Sequence, residues 1–196
     1  IGLVGLGTGT VAIYGQRGGT VRIYEIDPRV EHLARTRFSY LAQSAADVTV
    51  VIGDARLSLE RELARHEPQQ FDVLALDAFS SDSIPIHLLT MEAVQLYLQH
   101  LKPDGVIAVH TSNRYLNLEP VVENLARHFG LAAAIVSDDP PSTSWWLFRS
   151  TWILVTKNKA LLSRPSLEAA IFDPESPTDE IGLWTDDHAS LYEILK

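Results

Sequence analysis

The chain has 196 residues, 46% hydrophobic and 21% charged, with a formal net charge of -9. That is enough apolar material for one buried α/β domain and excludes a disordered or fibrous chain. The acidic balance disfavours nucleic-acid binding through phosphate neutralisation and favours cationic or neutral small ligands.

There is no cysteine, which excludes disulfides, thiolate nucleophiles and cysteine metal sites. The 7 histidines lack H-x-x-x-H and H-E-x-x-H spacing, so no metal is expected. No apolar run reaches the ~18 to 20 residues that span a bilayer, so the chain reads as a soluble, cytoplasmic domain. Ile1 is not a methionine and already lies in the first apolar run, which reads as a piece of a longer protein. A membrane domain elsewhere in the full-length protein is compatible with that reading, as is a homodimer.

The first run, Ile1 to Val4, leads into Gly5-Leu6-Gly7-Thr8-Gly9, a turn whose missing Cβ atoms let backbone N–H groups approach a ligand. A helix is expected over 9–16, then a strand over 20–25 ending at Glu25. Asp27 with Pro28 starts a second helix, in which Val30, Leu33, Ala34, Phe38 and Leu41 recur at helical spacing. Further strands are expected over 48–52, 71–76, 105–110, 131–136 and 151–156, with helices over 55–66, 90–101 and 118–129. Lys102-Pro103-Asp104-Gly105 reads as the stop between the fourth helix and the fifth strand.

About fifteen residues join the last two strands, too few for a helical crossover, so these should be antiparallel. The pattern is α/β: a doubly wound, mostly parallel seven-stranded sheet with an antiparallel last strand over 1–156, then a tail over 157–196 packed on it.

Ligands of such sheets bind outside the carboxyl ends of the strands, so the residues just past each strand are the candidates. Gly5, Gly7, Thr8 and Gly9 follow the first strand, spaced G-x-G-x-G rather than as the dinucleotide fingerprint. Glu25 can accept hydrogen bonds from ribose hydroxyls, and Asp27 serves either as a helix N-cap or as a ligand contact. Asp54, in Gly53-Asp54-Ala55, either accepts from an adenine amino group or caps the next helix.

Asp77 ends the run Phe71 to Leu76, broken only by Asp72, and a carboxylate at that mouth needs a partner or a chemical role. Trp145 and Trp146 fit a lid or a turn packed on the last strands. His87, His110 and His188 read as structural histidines, and Asn117 as a helix cap.

The set G-x-G-x-G, E-x-D-P, G-D-A and a strand-four aspartate resembles class I S-adenosylmethionine-binding folds. The segment from Phe71 to Pro85, followed by His87-Leu88-Leu89-Thr90, resembles the spermidine synthase family more narrowly, particularly bacterial members fused to membrane domains. The resemblance implies an aminopropyltransferase that moves the aminopropyl group of decarboxylated S-adenosylmethionine to putrescine or a related amine.

It also implies that the glycine loop holds the nucleoside and that Glu25 holds the ribose. Asp54, beside Ala55, would sit by adenine, and Asp77 would accept a proton from the amine. The chain departs from the family pattern where Ser80 stands at a second diamine-binding acid, the nearest acid being Asp82, and where Leu6 and Thr8 replace an acid between the glycines. The family's amino-terminal β-stranded segment has no counterpart in this sequence.

Asp186 and Asp187 either fold back to bind an ammonium group or stay solvated. The alternatives are an S-adenosylmethionine-dependent methyltransferase and a non-catalytic nucleoside- or polyamine-binding domain. The glycine spacing disfavours an NAD oxidoreductase.

Overall fold

Apolar residues fill successive rather than alternate positions of the strands, so the sheet has to be covered on both faces. The computed structural model describes residues 1–78, 85–140, 143, 147–168, 170–172 and 181–196. Its strands are β1 (Gly2–Val4), β2 (Thr20–Glu25), β3 (Asp47–Ile52), β4 (Phe71–Leu76), β5 (Leu101–His110), β6 (Ala132–Asp138), β7 (Ser150–Thr156) and β8 (Ile171–Phe172). They form one sheet in the order β3-β2-β1-β4-β5-β7-β6-β8.

Strands β1 to β5 pair in parallel, and β7 lies antiparallel between β5 and β6. All seven expected strands are present, with the antiparallel pairing read from the short connection. The two-residue β8 adds to the β6 edge from a stretch whose periodicity gave no sign of a strand.

Alternate residues of each strand serve opposite faces. Val4, Tyr24, Leu74, Leu76, Ile107 and Val109 belong to one core cluster, with residues of α3 (Ala55–Ala64), α4 (Met91–His100) and α5 (Glu119–His128). Leu3, Ile23, Ala75 and Ala108 belong to the other, with Ala34 of α1 (Pro28–Arg37) and Leu41 of α2 (Tyr40–Gln43). Trp184 and Ile194 are buried in the first cluster. The Met91 N–H donates to the Trp184 carbonyl at 2.8 Å, and the Asn117 N–H donates to the Ile194 carbonyl at 2.7 Å. Among the described residues no helix is long and apolar enough to cross a membrane.

Three local features depart from the sequence reading. The helix that starts at Pro28 breaks at Phe38, which is extended (φ -127°, ψ 158°), and resumes as α2. The break lets Leu41 pack under the first turn, where a Cβ on Gly9 would lie 2.9 Å from its Cδ2. The first expected helix is a 3₁₀ turn over Thr10–Tyr14.

Finally, β5 starts at Leu101, before the expected stop: Phe71 pairs with Leu101 and Val73 with Val106, so residues 102–105 bulge out of the ladder. A Cβ on Gly105 would lie 2.9 Å from the Phe71 carbonyl oxygen, so the bulge requires glycine there.

Under the sheet, Arg22 and Tyr24 of β2 meet Glu62 of α3. The Arg22 guanidinium donates to Glu62 Oε1 at 2.6 Å and the Tyr24 hydroxyl donates to Oε2 at 2.8 Å. The Glu62 side chain is 2% exposed. Removing it strands a part-buried cation and a buried hydroxyl, so Glu62→Ala should lower unfolding stability by about 3–5 kcal/mol, read from urea midpoints.

His100, fully buried at the end of α4, accepts the Gln69 N–H at Nδ1 (3.2 Å) and donates from Nε2 to the Leu59 carbonyl (3.1 Å). Accepting at Nδ1 needs the neutral ring, and burial lowers its pKa below the ordinary 6.5. The unfolded chain therefore protonates this site at a higher pH than the folded chain does. Its contribution to stability is complete above about pH 6.5 and is lost as pH falls through the lower folded value. Melting temperatures measured between pH 7 and 5 should fall less steeply for His100→Gln than for the parent, whatever the variant's absolute stability.

Candidate active site

The strand order reverses between β1 and β4, where β1 turns toward β2 and β3 while β4 continues to β5, and a crevice opens outside their carboxyl ends. Gly5 leaves β1 with φ +94°, and a Cβ there would lie 2.2 Å from the Asp77 carbonyl oxygen. Only glycine tolerates both the conformation and the approach. The ladder continues one step past the strands, with the Gly5 N–H donating to the Tyr24 carbonyl (2.9 Å) and the Asp77 N–H donating to the Val4 carbonyl (2.8 Å). Asp77 is thereby fixed beside the glycine turn.

Glu25, buried at the end of β2, accepts the Leu6 N–H at Oε2 and the Asp27 N–H at Oε1, both at 2.9 Å. One carboxylate thus ties the glycine turn to the start of α1. Asp27 caps α1 by accepting the Arg29 N–H at 2.9 Å, and it also pairs with the Arg29 guanidinium. That cation holds its carboxyl down at about 2.

Asp54 caps α3, its Oδ1 accepting the Leu57 N–H at 2.9 Å, while its Oδ2 lies 2.9 Å from His87 Nε2. Burial opposes its charge, but the Leu57 N–H and His87 outweigh it and hold the carboxyl below its ordinary value. For Asp27 and Asp54 the helix-capping role is realised, and both side chains still border the crevice.

Asp77 Oδ1 lies 2.8 Å from Nδ1 of His110, the last residue of β5. The His110 ring stacks on Trp152 of β7, with centroids 4.8 Å apart and planes 18° off parallel.

These strand ends enclose a cavity of about 510 Å³. Gly5, Gly7, Glu25, Asp27, Asp54, Ala55 and Asp77 line it, so the structure gathers seven of the expected residues. Ile26, Val30, Ala78, Pro85 and Leu88 supply apolar walls, and Ile26 is 70% exposed.

Thr8 and Gly9 are not among the lining residues: Thr8 lies in the turn that precedes the 3₁₀ helix, and Gly9, its N-cap, is buried. Asp186 pairs with the Arg56 guanidinium (2.6 Å) and accepts from the Thr90 hydroxyl (2.8 Å), away from the lining; Arg56 holds its carboxyl at about 2. Asp187 is exposed. Ser80, Asp82, Trp145 and Trp146 lie outside the described residues.

His87 and His110, which read as structural histidines in the sequence, each pair with a carboxylate of the crevice. The strand-end rule, applied to β5, would have flagged His110. His87 has no such signal, since its partner Asp54 lies 33 positions away in sequence.

No protein-family model matches the chain. It is 34% identical over 114 residues to a polyamine aminopropyltransferase of Vibrio vulnificus, covering 56% of this chain and 36% of that protein. It is 33% identical over 109 residues to an N-terminal histidine N-methyltransferase of Emericella nidulans, covering 55% and 19%. A probable polyamine aminopropyl transferase of Bifidobacterium longum is 28% identical over 155 residues, covering 74% and 32%. The matches thus take in about a third or less of these relatives' own length.

Among solved structures, spermidine synthase from Thermotoga maritima superposes with a TM-score of 0.52 at 18% identity, over 80% of this chain and 53% of that one. An O-methyltransferase from Bacillus cereus superposes with a TM-score of 0.55 at 17% identity, over 80% and 73%. The chain is thus similar in sequence to polyamine aminopropyltransferases over part of their length, and its fold is the methyltransferase-like α/β sheet shared by these solved structures.

Proposed function

We propose that this chain is the nucleoside-binding and transfer domain of an aminopropyltransferase that moves the aminopropyl group of decarboxylated S-adenosylmethionine to putrescine or a related amine. The observation that carries the reading is that Gly5, Gly7, Glu25, Asp54 and Asp77 share one cavity at the β1/β4 reversal. Its volume of about 510 Å³ suits a nucleoside-sized ligand.

Each Glu25 oxygen accepts one backbone N–H and keeps a second lone-pair direction for a ribose hydroxyl. Ile26 offers an apolar surface to a base whose amino group points toward Asp54. The described lining contains four acids and no Lys, Arg or His. That composition suits a sulfonium and an ammonium, and it gives the methionine carboxylate of the undecarboxylated nucleoside no cation to meet.

The amine must lose a proton for its nitrogen lone pair to form the new N–C bond. The C–S bond breaks as that bond forms, and its electron pair leaves sulfur as a neutral thioether. Asp77 is the proton acceptor at the mouth of β4. Positioning of the two reactants supplies most of the remaining acceleration.

A second reading, methyl transfer from S-adenosylmethionine to an amine or imidazole nitrogen, is favoured by the match to a histidine N-methyltransferase. The same cavity and the same Asp77 would serve it.

Titration calorimetry with decarboxylated S-adenosylmethionine, S-adenosylmethionine, methylthioadenosine and NAD separates these readings. Under the leading one, the decarboxylated donor binds at least about tenfold more tightly than S-adenosylmethionine, a difference of about 1.4 kcal/mol. The reverse preference selects methyl transfer, and binding of NAD alone ends both. Asp77→Asn should lower kcat by about 10²- to 10⁴-fold while leaving methylthioadenosine affinity unchanged.

A further inference from the structure

We infer that His110 is a positioning residue, clamped by Trp152, that fixes the Asp77 carboxylate with one oxygen turned to the incoming amine; the inference rests on the transfer reading above. The clamp is a product of sheet topology. Strand β7 runs antiparallel beside β5, and His110 and Trp152 are direct partners in that ladder. Side chains at paired positions of an antiparallel ladder share a face and lie close enough to touch. Their rings stack at 4.8 Å. Trp152 is in turn held by its indole N–H, which donates to Ser150 Oγ at 2.9 Å. The imidazole plane is therefore set by β7, on the far side of β5 from Asp77.

From that plane Nδ1 reaches Asp77 Oδ1 at 2.8 Å. A carboxylate only accepts hydrogen bonds, so the proton of this bond sits on Nδ1. The backbone of Asp77 is fixed independently by its bond to Val4 and by its approach to Gly5. The freedom left to Asp77 is rotation of its carboxylate, and His110 removes it. Oδ2, with no protein partner among the described residues, is then the oxygen available to an amine in the cavity that Asp77 lines.

During transfer the proton passes from the attacking nitrogen to Oδ2, and His110 keeps its own Nδ1 proton throughout. It holds the base without exchanging a proton with the substrate, and its effect belongs in kcat rather than in donor binding.

Two measurements on the full chain test this. Long-range nitrogen–proton NMR of the imidazoles should show His110 as the Nδ1–H tautomer, and Asp77→Ala should abolish that preference. An Nε2–H tautomer in the parent, indifferent to Asp77→Ala, overturns the inference whatever group the protein transfers. A chain that shows the tautomer change but turns over no sulfonium nucleoside supports the pairing and overturns the transfer reading instead.

In kinetics, His110→Ala should lower kcat by about 10²-fold with the donor KM unchanged within about threefold. His110→Asn, whose amide nitrogen stands near the place of Nδ1, should recover at least about tenfold of that loss. In an Asp77→Asn background, His110→Ala should cost less than about twofold, because the two residues act as one unit. Equal losses in the Ala and Asn variants, or a full multiplicative loss in the double variant, overturn the inference.

Discussion

The constraint on which the site depends is the contact between the missing Cβ of Gly5 and the carbonyl of Asp77. Two parallel strands that carry the chain away in opposite directions diverge past their ends, and the crevice this opens is where ligands of such sheets bind. Here the β1 and β4 ends stay within van der Waals range for one residue more, because position 5 has no side chain to intervene. Any Cβ would separate the glycine turn from Asp77 and move the acid relative to whatever the turn holds. The opening glycine is thus a packing requirement of the β1–β4 pair as much as a feature of the crevice lining.

Glu25 extends the same logic to the neighbouring strand. Its two oxygens take N–H groups from the turn after β1 and from the entry to α1, so the loops after β1 and β2 are tied together. A buried carboxylate without such donors would be costly. With them it braces the turn and still presents lone pairs to the cavity. The Arg22–Tyr24–Glu62 group supports β2 from below in the same way, by satisfying a buried charge rather than avoiding one.

The features legible in the sequence were those that a single chain segment determines. The seven strands follow from apolar runs bounded by turns, and the acids at the strand ends follow from where those runs stop. Asp27 and Asp54 could be assigned to caps because the cap and its helix are adjacent in sequence. Features set by pairing between distant segments could not be read. His110 meets Asp77 because β5 neighbours β4, and it meets Trp152 because β7 is inserted before β6. Neither fact is encoded near residue 110.

The same holds for Asp186, which partners Arg56 across 130 positions of sequence, and for the burial of Trp184 and Ile194 in a stretch without periodicity. The bulge over 102–105 reads as a helix stop because Pro and Gly stop a helix and interrupt a strand by similar means, and only the pairing with Phe71 distinguishes the two.

The cavity's acids are already partnered: Glu25 by two amides, Asp27 by Arg29, Asp54 by the Leu57 N–H and His87, Asp77 by His110. The site is therefore not an unscreened negative hole that would accept any cation. Each carboxylate is oriented by its protein donor and retains limited accepting capacity in fixed directions. Arg56 is the cation nearest in sequence to Asp54, and its guanidinium is turned to Asp186 and Glu60. Asp186 thus occupies Arg56, and the Asp54 carboxylate is met by the Leu57 N–H and His87 instead.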